Sequence, residues 1–393
     1  MTTAVRSAVV AVLTLHGLIH LLGTAKGFGW ADVAALTQPV GGGAGVLWLV
    51  AAALVLTSAW FVARGGPTWW WAVAASAAVV SQIAIATSWH DARAGTAVNV
   101  LLALVAAYGF ASVGPTSFRA QWRDQATRAL ADVDPAPPLV DEVDLTSLPG
   151  PLAAYVRRSG AVGRPRVTSV RATFHGRIRS GADQTWMPFT GEQLNTYGPR
   201  PQRAFIMDAS RSGLPVTVLH QFANGTATMR AKVLSALTVV DAAGPEMDRG
   251  ETVTVFNDLV VLAPGAILGA PVRWTAVDAH HVRGVFSDGT TSVAAVLTFD
   301  DQSDLVDFTS DDRLRASPDG TSFTPQGWST PVSGHRVVGG RRVMAAAEAR
   351  WQAPPPEGPF SYVELALDEI AYNVTSAVGT PDRALRTPVA APS

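Results

Sequence analysis

Charged side chains are distributed very unevenly along this chain, and their distribution limits the folds it can adopt. Residues 1–118 carry only six of them, whereas the other 55 lie between residues 119 and 393. The first part also contains four apolar stretches, each long enough for a helix of about 20 residues to cross a hydrocarbon core. They cover residues 4–23, 43–63, 69–89 and 94–113. The sequence therefore predicts a four-helix transmembrane region over residues 1–118.

The first stretch is the least hydrophobic of the four, so a signal peptide is the alternative interpretation. No small-residue cleavage site precedes a polar mature start, and three further apolar stretches follow immediately. Tryptophans also mark the ends of the stretches, where an indole ring favours the membrane interface. These are Trp48, Trp60, Trp69, Trp70, Trp71 and Trp89. We interpret all four stretches as membrane-spanning helices.

The basic residues near these stretches predict an orientation, because cytoplasmic loops hold the excess of arginine and lysine. With the N-terminus inside, five arginines are cytoplasmic and only Lys26 and Arg93 lie outside. The five are Arg6, Arg64, Arg119, Arg123 and Arg128. Four crossings return the chain to the cytoplasm. We therefore predict a multi-pass protein of the cell membrane whose N-terminus and C-terminal domain are both cytoplasmic.

Composition excludes several classes of chemistry. The chain has no cysteine, so disulfides, iron–sulfur clusters and cysteine nucleophiles are excluded. Its formal net charge of −1 gives no basic field that would attract nucleic acid, and we predict no nucleic-acid partner. The membrane bilayer is the one partner that the composition itself predicts.

Residues 119–139 are predicted to link the membrane part to the soluble part. Residues 118–130 form a short amphipathic helix in this reading, either lying at the membrane surface with Trp122 or simply leaving the bilayer. The proline-rich segment 134–138 then ends any helix and gives a stiff spacer. We predict a β-rich soluble domain over 140–374 and a disordered tail over 375–393, which is rich in alanine, proline and threonine.

Alternation of apolar and polar residues dominates the soluble part. Eleven strand candidates cover residues 170–178, 204–208, 216–222, 226–233, 272–277, 282–286, 292–299, 305–309, 335–338, 343–351 and 362–372. Short Asn-Gly and Asp-Gly turns indicate antiparallel neighbours. One good helix interrupts them, at residues 251–262. The predicted fold is a soluble α+β domain with a large curved antiparallel sheet or open β-barrel and few helices, joined to four transmembrane helices.

Several short strings resemble an uncharacterised bacterial family that has a four-span membrane region and a C-terminal β-rich domain of unknown function. In the membrane part they are LHGLIH at 15–20, ALTQP at 35–39 and WHDARAGT at 89–96. In the soluble part they are WMPF at 186–189, EQ at 192–193, EMDRGE at 246–251, FNDL at 256–259, LAPG at 262–265 and IAYN at 370–373. The resemblance supports the two-part architecture and implies no activity.

Three histidines are predicted to lie near the outer ends of the membrane helices. His16 and His20 are four residues apart on one helix face, and His90 ends the third stretch at the same level. Imidazoles inside a membrane can hold a metal or haem, or relay protons. The alternative is that they form hydrogen bonds with Gln82, Asn99 or the backbone and hold the helices together. No cofactor is predicted, and haem or metal at His16, His20 and His90 is the alternative.

The candidate binding residues of the soluble part are seven polar, charged or aromatic side chains. They are His175, Trp186, Glu192, Asn257, Asp258, Trp274 and Glu348. His175 belongs to a basic strand face that could meet anionic lipid or simply be solvated. Glu192, Asp258 and Glu348 could supply an acid and base pair, although structural ion pairs give the same pattern. Trp186, Trp274 and Trp351 are expected to be largely buried.

Three functions remain open from the sequence. The first is a soluble β-rich domain that binds an apolar or amphipathic, lipid-like small molecule at the membrane face, because open barrels with one covering helix leave a cavity. The second is a membrane redox or proton-relay protein that uses His16, His20 and His90. The third is a hydrolase that uses carboxylates of the β domain. We expect the first.

Overall fold

A computed structural model describes residues 3–289, 291–317 and 320–377 of the chain. The described chain divides into two compact units. The first contains the residues up to Gln121 together with Ser212–Pro215 and Leu234–Leu237, and the second contains the rest. The predicted domain division at residues 119–139 stays a prediction. Of the predicted disordered tail, residues 378–393 lie outside the described residues.

Helices make up nearly all of the first unit. They are α1 (Thr3–Gly27), α2 (Gly42–Arg64), α3 (Trp70–Thr87), the short α4 (Trp89–Ala92) and α5 (Gly95–Val113), followed by α6 (Phe118–Ala131), which begins here and continues into the second unit. Four helical segments, starting with α1, α2, α3 and α5, are long and apolar enough to cross a membrane. This confirms the four predicted helical stretches.

Small residues let α1 and α2 approach each other closely. A β-carbon placed on Gly27 would lie 2.5 Å from the Cα atom of Gly45, so a larger residue at this crossing would push the backbones apart. Packing of this kind stabilises helix pairs in lipid, where no hydrophobic driving force between helices exists. The crossing therefore suits a membrane-embedded pair.

The second unit is built on one large antiparallel sheet. Its strands are β1 (Ser169–Ile178), β2 (Met187–Thr196), β3 (Gln202–Arg211), β4 (Leu214–Ala223), β5 (Thr226–Val233), β6 (Leu237–Ala243), β7 (Val272–Ala276), β8 (His281–Asp288), β9 (Thr291–Phe299), β10 (Leu305–Ser310), β13 (Trp328–Ser329), β14 (Val332–Val338), β15 (Arg341–Gln352) and β16 (Pro359–Tyr372). Two short strands, β11 (Leu314–Ala316) and β12 (Phe323–Pro325), pair separately. The predicted fold class is confirmed.

The order of the strands places a helix across one face of this sheet. The order runs β6-β5-β4-β3-β2-β1-β16-β15-β13-β10-β9-β8-β7, so the first and last long strands pair at its middle. The strands at its two ends, β6 and β7, are joined in the chain through α8 (Pro245–Leu262). Because this connection runs from one edge to the other, α8 crosses the sheet. Thirteen of its eighteen residues are buried.

The helix α8 begins six residues earlier than the predicted start at residue 251. Pro245 occupies its first turn, where the missing N–H is not needed, and Glu246 and Asp248 lie at its positive end. A shorter helix, α7 (Gly150–Arg158), and turns of 3-10 helix at Asp144–Ser147 and Pro264–Gly269 complete the unit. The core contains Phe256, whose ring contacts Phe286 and Phe308.

The helix α6 packs against the sheet through its second half. Trp122 is buried and donates its indole N–H to the carbonyl of Ala204, and Gln125 donates to the carbonyls of Arg203 and Phe222. Trp122 therefore packs against protein, and the predicted position of α6 at the membrane surface stays a prediction. Successive residues of a strand point to opposite faces of the sheet. Gln221, which bonds Gln125, lies between two residues that point toward α8, so Gln221 points to the other face. The helix α6 therefore lies on the face of the sheet opposite to α8.

Candidate functional site

A cavity of about 230 Å³ lies between α8 and the inner face of the sheet. Strands β1 to β5, β15 and β16 contribute to its wall, because every second residue of each strand points inward. The apolar side chains that line it are Phe174, Ile178, Phe189, Phe205, Met207, Val218, Met229, Val261, Leu262, Trp328, Met344, Ala347, Ala349, Tyr362, Val363 and Leu365. The cavity therefore has the composition of a pocket for an apolar molecule.

One part of the cavity wall is a buried ionic network, here called the charged floor, formed by Arg203, His220, Glu251 and Asp258. The guanidinium of Arg203 lies 2.7 Å from Glu251 Oε1 and 2.8 Å from Asp258 Oδ2. His220 Nε2 lies 2.9 Å from Glu251 Oε2, at ion-pair distance but outside hydrogen-bond geometry. Arg203 and both carboxylates are buried, so each charge depends on its neighbours for compensation.

Amides on β2 complete the charged floor. Gln193 donates to Asp258 Oδ2 at 2.7 Å, and Asn195 donates to the same oxygen at 3.1 Å. Arg203 in turn donates to the side-chain oxygen of Gln193. These polar residues occupy the buried face of β2, which explains why sequence patterning did not predict that strand.

The pKa values of the two buried carboxyl groups are shifted in opposite directions, down for Glu251 and up for Asp258. Burial alone would raise the pKa of Glu251, but the charges of His220 and Arg203 outweigh it and hold that pKa at about 2. Burial raises the pKa of Asp258, and the charge and hydrogen bonds of Arg203 and Asn195 offset this only in part. Glu251 is thus the firmly ionised member, and it balances Arg203.

A second cation, Arg313, lines the cavity near the first half of α8. Its Nη1 donates to the carbonyl of Gly250 and to the hydroxyl of Thr254. Its guanidinium stacks on the Trp328 ring, 4.8 Å from the centroid. Nearby, Asn257 Oδ1 and Thr330 Oγ1 are buried without a hydrogen-bond partner. This part of the wall holds polar atoms that the described protein residues do not satisfy.

Three of the seven predicted binding residues line the cavity, namely Asn257, Asp258 and Glu348. The carboxylate of Glu348 is held by Arg350, whose Nε lies 2.8 Å away, and by Ser361. Asp258 is likewise held by an arginine. Because both carboxylates are already engaged in ion pairs, their arrangement is that of structural groups rather than of a free acid and base.

The other four predicted binding residues do not line the cavity. His175 is exposed and pairs with Asp368 at 2.5 Å, and Glu192 pairs with Arg171 at 2.5 Å. Both occupy the outward positions of their strands, whereas the adjacent Phe174 and Gln193 point inward. Period-two alternation explains this separation.

The two predicted tryptophans are only partly buried. Trp186 stacks beneath the guanidinium groups of Arg177 and Arg179, at 4.6 and 4.4 Å. Trp274 lies on β7 against Phe256, with ring centroids 5.7 Å apart. The expectation of largely buried tryptophans is confirmed for Trp351, which is 6% exposed, and is wrong for Trp186 and Trp274. Trp274 is partly exposed because it lies on β7, which is the strand at one edge of the sheet.

The residues of the site that were not predicted from the sequence are Arg203, His220, Glu251, Arg313 and Thr330. One signal was present. Glu251 and Asp258 are seven residues apart, so they share one face of α8 with the apolar positions that must be buried. Two carboxylates on a buried helix face require a buried cation, although the sequence does not say which strand supplies it.

The membrane histidines form a neutral hydrogen-bonded network, here called the helix network. His16 Nε2 lies 3.2 Å from both Ser81 Oγ and Asn99 Oδ1, and His20 Nε2 lies 2.8 Å from Ser81 Oγ. Ser81 donates to Asn99, which in turn donates to Gln82. This is the arrangement of the structural alternative, with His16 bonded to Asn99 and His20 bonded to Ser81.

His90 does not join the other two histidines. It lies on α4 with an exposed side chain, whereas the rings of His16 and His20 are 4.7 Å apart. Among the described residues, no group of three or more His, Cys, Asp or Glu is placed to hold a metal ion. A metal or haem at His16, His20 and His90 therefore stays a prediction, without a three-histidine cluster to support it.

Comparison with known proteins gives one family and several distant structural likenesses. A family model described as a family of unknown function, DUF6544, matches residues 138–365, which is more than half of the chain. No curated protein matches the sequence. Solved structures that resemble the chain include a DUF1329 family protein from Desulfovibrio piger, with 11% identity, a TM-score of 0.33, and coverage of 63% of this chain and 100% of that one. A LolA superfamily protein from Nitrosomonas europaea has 10% identity, a TM-score of 0.30, and coverage of 60% and 96%.

Proposed function

The chain belongs to this DUF6544 family of unknown function, and from its geometry we propose that its β-rich domain binds an apolar or amphipathic, lipid-like small molecule. The observation that carries the proposal is the cavity of about 230 Å³ between α8 and the sheet, with its largely apolar wall. Apolar cavities of about 150 Å³ already admit benzene. An alkyl chain that filled this cavity would gain about 25 cal/mol for each Å² of apolar surface removed from water.

The membrane is the proposed source of this ligand. Four helical segments are long and apolar enough to cross a bilayer, and a lipid-like molecule partitions into the same phase. The excess of arginine on one side of these helices supports a cytoplasmic N-terminus and a cytoplasmic β-rich domain. The protein would then hold its ligand at the inner membrane face.

Reporter fusions test this orientation. We expect a fluorescent protein fused after Pro138 or after Val374 to be bright, and a phosphatase that is active only outside the cytoplasm to be inactive at both points. The reverse pattern at both points would overturn the cytoplasmic assignment. It would leave binding in the cavity to be decided by the labelling experiment below.

Photo-crosslinking of the full chain in nanodiscs tests binding. The probe is dodecanol that carries a diazirine, and the readout is the labelled peptide identified by mass spectrometry. We expect labelling of the cavity strands in the wild type. Val218→Trp fills the cavity and should reduce that labelling about tenfold, because the apolar contacts of the probe are lost.

Val337→Trp is the matched control, since Val337 is 68% exposed and does not line the cavity. It should label like the wild type. If Val218→Trp fails to fold by circular dichroism, Val363→Phe fills the same cavity from another strand. Wild-type labelling confined to the apolar helices, with none on β1 to β5, β15 or β16, would refute the proposal.

A further inference from the structure

The cavity wall contains one charged group that stands apart from the others. Arg203 is paired with Glu251 and Asp258, His220 faces Glu251, and Glu348 is held by an arginine. Arg313 also lines the cavity, yet no carboxylate of the described residues lies within ion-pair distance of its nitrogen atoms. Its guanidinium contacts neutral oxygen atoms and the Trp328 and Trp351 rings, and the Glu251 carboxylate acts on its charge only from beyond ion-pair distance.

The hydrogen-bonding capacity of Arg313 is also incompletely used. The guanidinium offers five N–H groups, and in the described residues only those of Nη1 have partners. Nε is buried without a partner, and Nη2 donates to no described residue. The fixed fork of Nε and Nη2 is the edge that binds a carboxylate or a phosphate through two parallel hydrogen bonds.

Two further unsatisfied polar atoms line the same cavity. Thr330 is 6% exposed and its Oγ1 has no partner, so its hydroxyl is able to donate. Asn257 is 7% exposed, and its side-chain oxygen is also unpartnered. Asn257 lies one helical turn after Thr254, the residue that Arg313 contacts. Buried polar groups without partners are rare in folded proteins, and four described residues that line this cavity carry one, namely His220, Asn257, Arg313 and Thr330.

Another part of the wall is apolar. Phe189, Met207 and Val218 form a cluster that packs with Val363 and Leu365 on β16. A ligand that pairs with the donors of Arg313 and Thr330 and also fills the apolar part must carry an anionic or acceptor group at one end and a hydrocarbon chain at the other. A cationic head would meet the Arg313 charge and be repelled.

We propose that the natural ligand is an anionic single-chain amphiphile, whose oxygen-bearing head group binds Arg313 and Thr330 while its hydrocarbon chain fills the cavity. This rests on the proposed function and specifies its ligand class. Such a head group is found on a free fatty acid, as a carboxylate, or on a phosphate monoester of a lipid. The planar carboxylate and the tetrahedral phosphate each offer two oxygen atoms that can accept the two parallel hydrogen bonds of the guanidinium fork.

The test compares head groups on one chain length. Full-length protein in zwitterionic nanodiscs is labelled with diazirine forms of dodecanoate, dodecyl phosphate, dodecanol and dodecyltrimethylammonium at equal mole fraction in the bilayer. Cavity labelling by the better anion should exceed that by dodecanol about tenfold, the effect of one charge-assisted hydrogen bond. Preference for dodecanoate identifies the carboxylate source, and preference for dodecyl phosphate identifies the phosphate source.

Arg313→Met keeps the apolar stem and removes the charge, so it should abolish the preference for the anions over dodecanol. Arg283→Met is the matched control, because Arg283 is exposed on β8 and does not line the cavity. If Arg313→Met does not fold, Arg313→Lys keeps the charge without the fork and should retain only part of the preference.

The outcomes separate the two proposals. Equal labelling by anions and dodecanol, stronger labelling by the ammonium probe, or an anion preference that survives Arg313→Met would each overturn the anionic ligand while cavity binding stands. Absence of cavity labelling by every probe would overturn the proposed function itself.

Discussion

The two units of this molecule each bury a polar network, and the two networks are built from different chemistry. The helix network joins His16, His20, Ser81 and Asn99 through hydrogen bonds between neutral groups. The charged floor joins Arg203 to Glu251 and Asp258 through ion pairs. The difference follows the surroundings of each network. A charged side chain at the centre of a bilayer costs about 3 kcal/mol or more, so a neutral network suits helices that face lipid.

The charged floor can retain full charges because the sheet surrounds it with donors. Asp258 accepts from Gln193 and Asn195 in addition to Arg203. Burial of ion pairs is tolerated only where the remaining lone pairs are satisfied in this way. Loss of one partner should therefore be far more damaging in the charged floor than in the helix network, and the following predictions test that contrast.

Arg203→Met should have the largest effect of the changes considered. It leaves Glu251 and Asp258 buried without their cation, and breaking a buried pair in this way costs about 3–5 kcal/mol. We expect loss of most of the unfolding free energy of the β-rich unit, measured by chemical denaturation of the full chain in detergent and followed by the strand signal in circular dichroism.

A triple variant with Glu251→Gln and Asp258→Asn added to Arg203→Met is the control, because it removes all three charges together. It should recover a substantial part of the lost stability. A loss below about 1 kcal/mol for Arg203→Met alone would show that water reaches the charged floor, as at a surface ion pair.

Phe256→Ala should have the next largest effect, a loss of about 3–5 kcal/mol of unfolding free energy. Phe256 is fully buried on α8 and contacts three aromatic rings. Trp274→Ala is the matched comparison. Trp274 is partly exposed on an edge strand, so its removal should cost less than the removal of Phe256. Equal losses in denaturant titrations of the two variants would contradict this ranking.

Acid should lower the stability of the β-rich unit, because protonation of Glu251 weakens the charged floor. Its pKa falls from the ordinary 4.5 to about 2 on folding, so its contribution to stability is complete above pH 4.5 and is lost as the pH falls toward 2. The raised pKa of Asp258 acts in the opposite direction and makes the net slope smaller. Thermal melts between pH 6 and pH 3 should therefore show a decline in the wild type.

Glu251→Gln should reduce this acid dependence, although it lowers stability at neutral pH. Glu142→Gln is the control, since Glu142 pairs with Arg157 at the exposed surface. An acid slope that is unchanged in Glu251→Gln would show that other carboxyl groups dominate. Asp304, whose pKa is held low by Arg342 and Arg158 against the effect of burial, is the first such group to examine.

Sequence patterning predicted the architecture well because both parts have strong periodic signals. The four apolar stretches and most long strands were found within a few residues of their ends. The strand β2 was not found, since Pro188 and Gly191 argue against a strand and Gln193 and Asn195 place polar groups on its buried face. The extension of α8 to Pro245 was missed because its first turn is polar.

The candidate site was only partly predictable. Asn257, Asp258 and Glu348 were identified because each carries a polar group within apolar sequence. Arg203 and Arg313 were not, since the strands that bring them to α8 are far from it in the chain. Alternation already places His175 on the polar face of β1, opposite the apolar face that contains Phe174, whereas β2, which carries Glu192 and Gln193, was not predicted as a strand.

Ser81→Ala should have the smallest effect, and it tests the other side of the comparison. Ser81 contacts His16, His20 and Asn99, so its removal takes one member from a neutral network and leaves no charge uncompensated. Hydrogen bonds between membrane helices contribute about 1 kcal/mol each. We expect the melting temperature of the full chain in detergent to fall by only a few degrees.

Ser58→Ala is the matched control, because Ser58 is equally buried but bonds only the carbonyl of Leu54 in its own helix. It should melt like the wild type, and so should His90→Ala, whose side chain is exposed. A loss for Ser81→Ala as large as that for Arg203→Met would mean that a histidine of the helix network is charged. Stoichiometric metal or haem in the wild type that disappears in His16→Ala and His20→Ala would establish the cofactor alternative, because a purely structural network changes only the melting temperature.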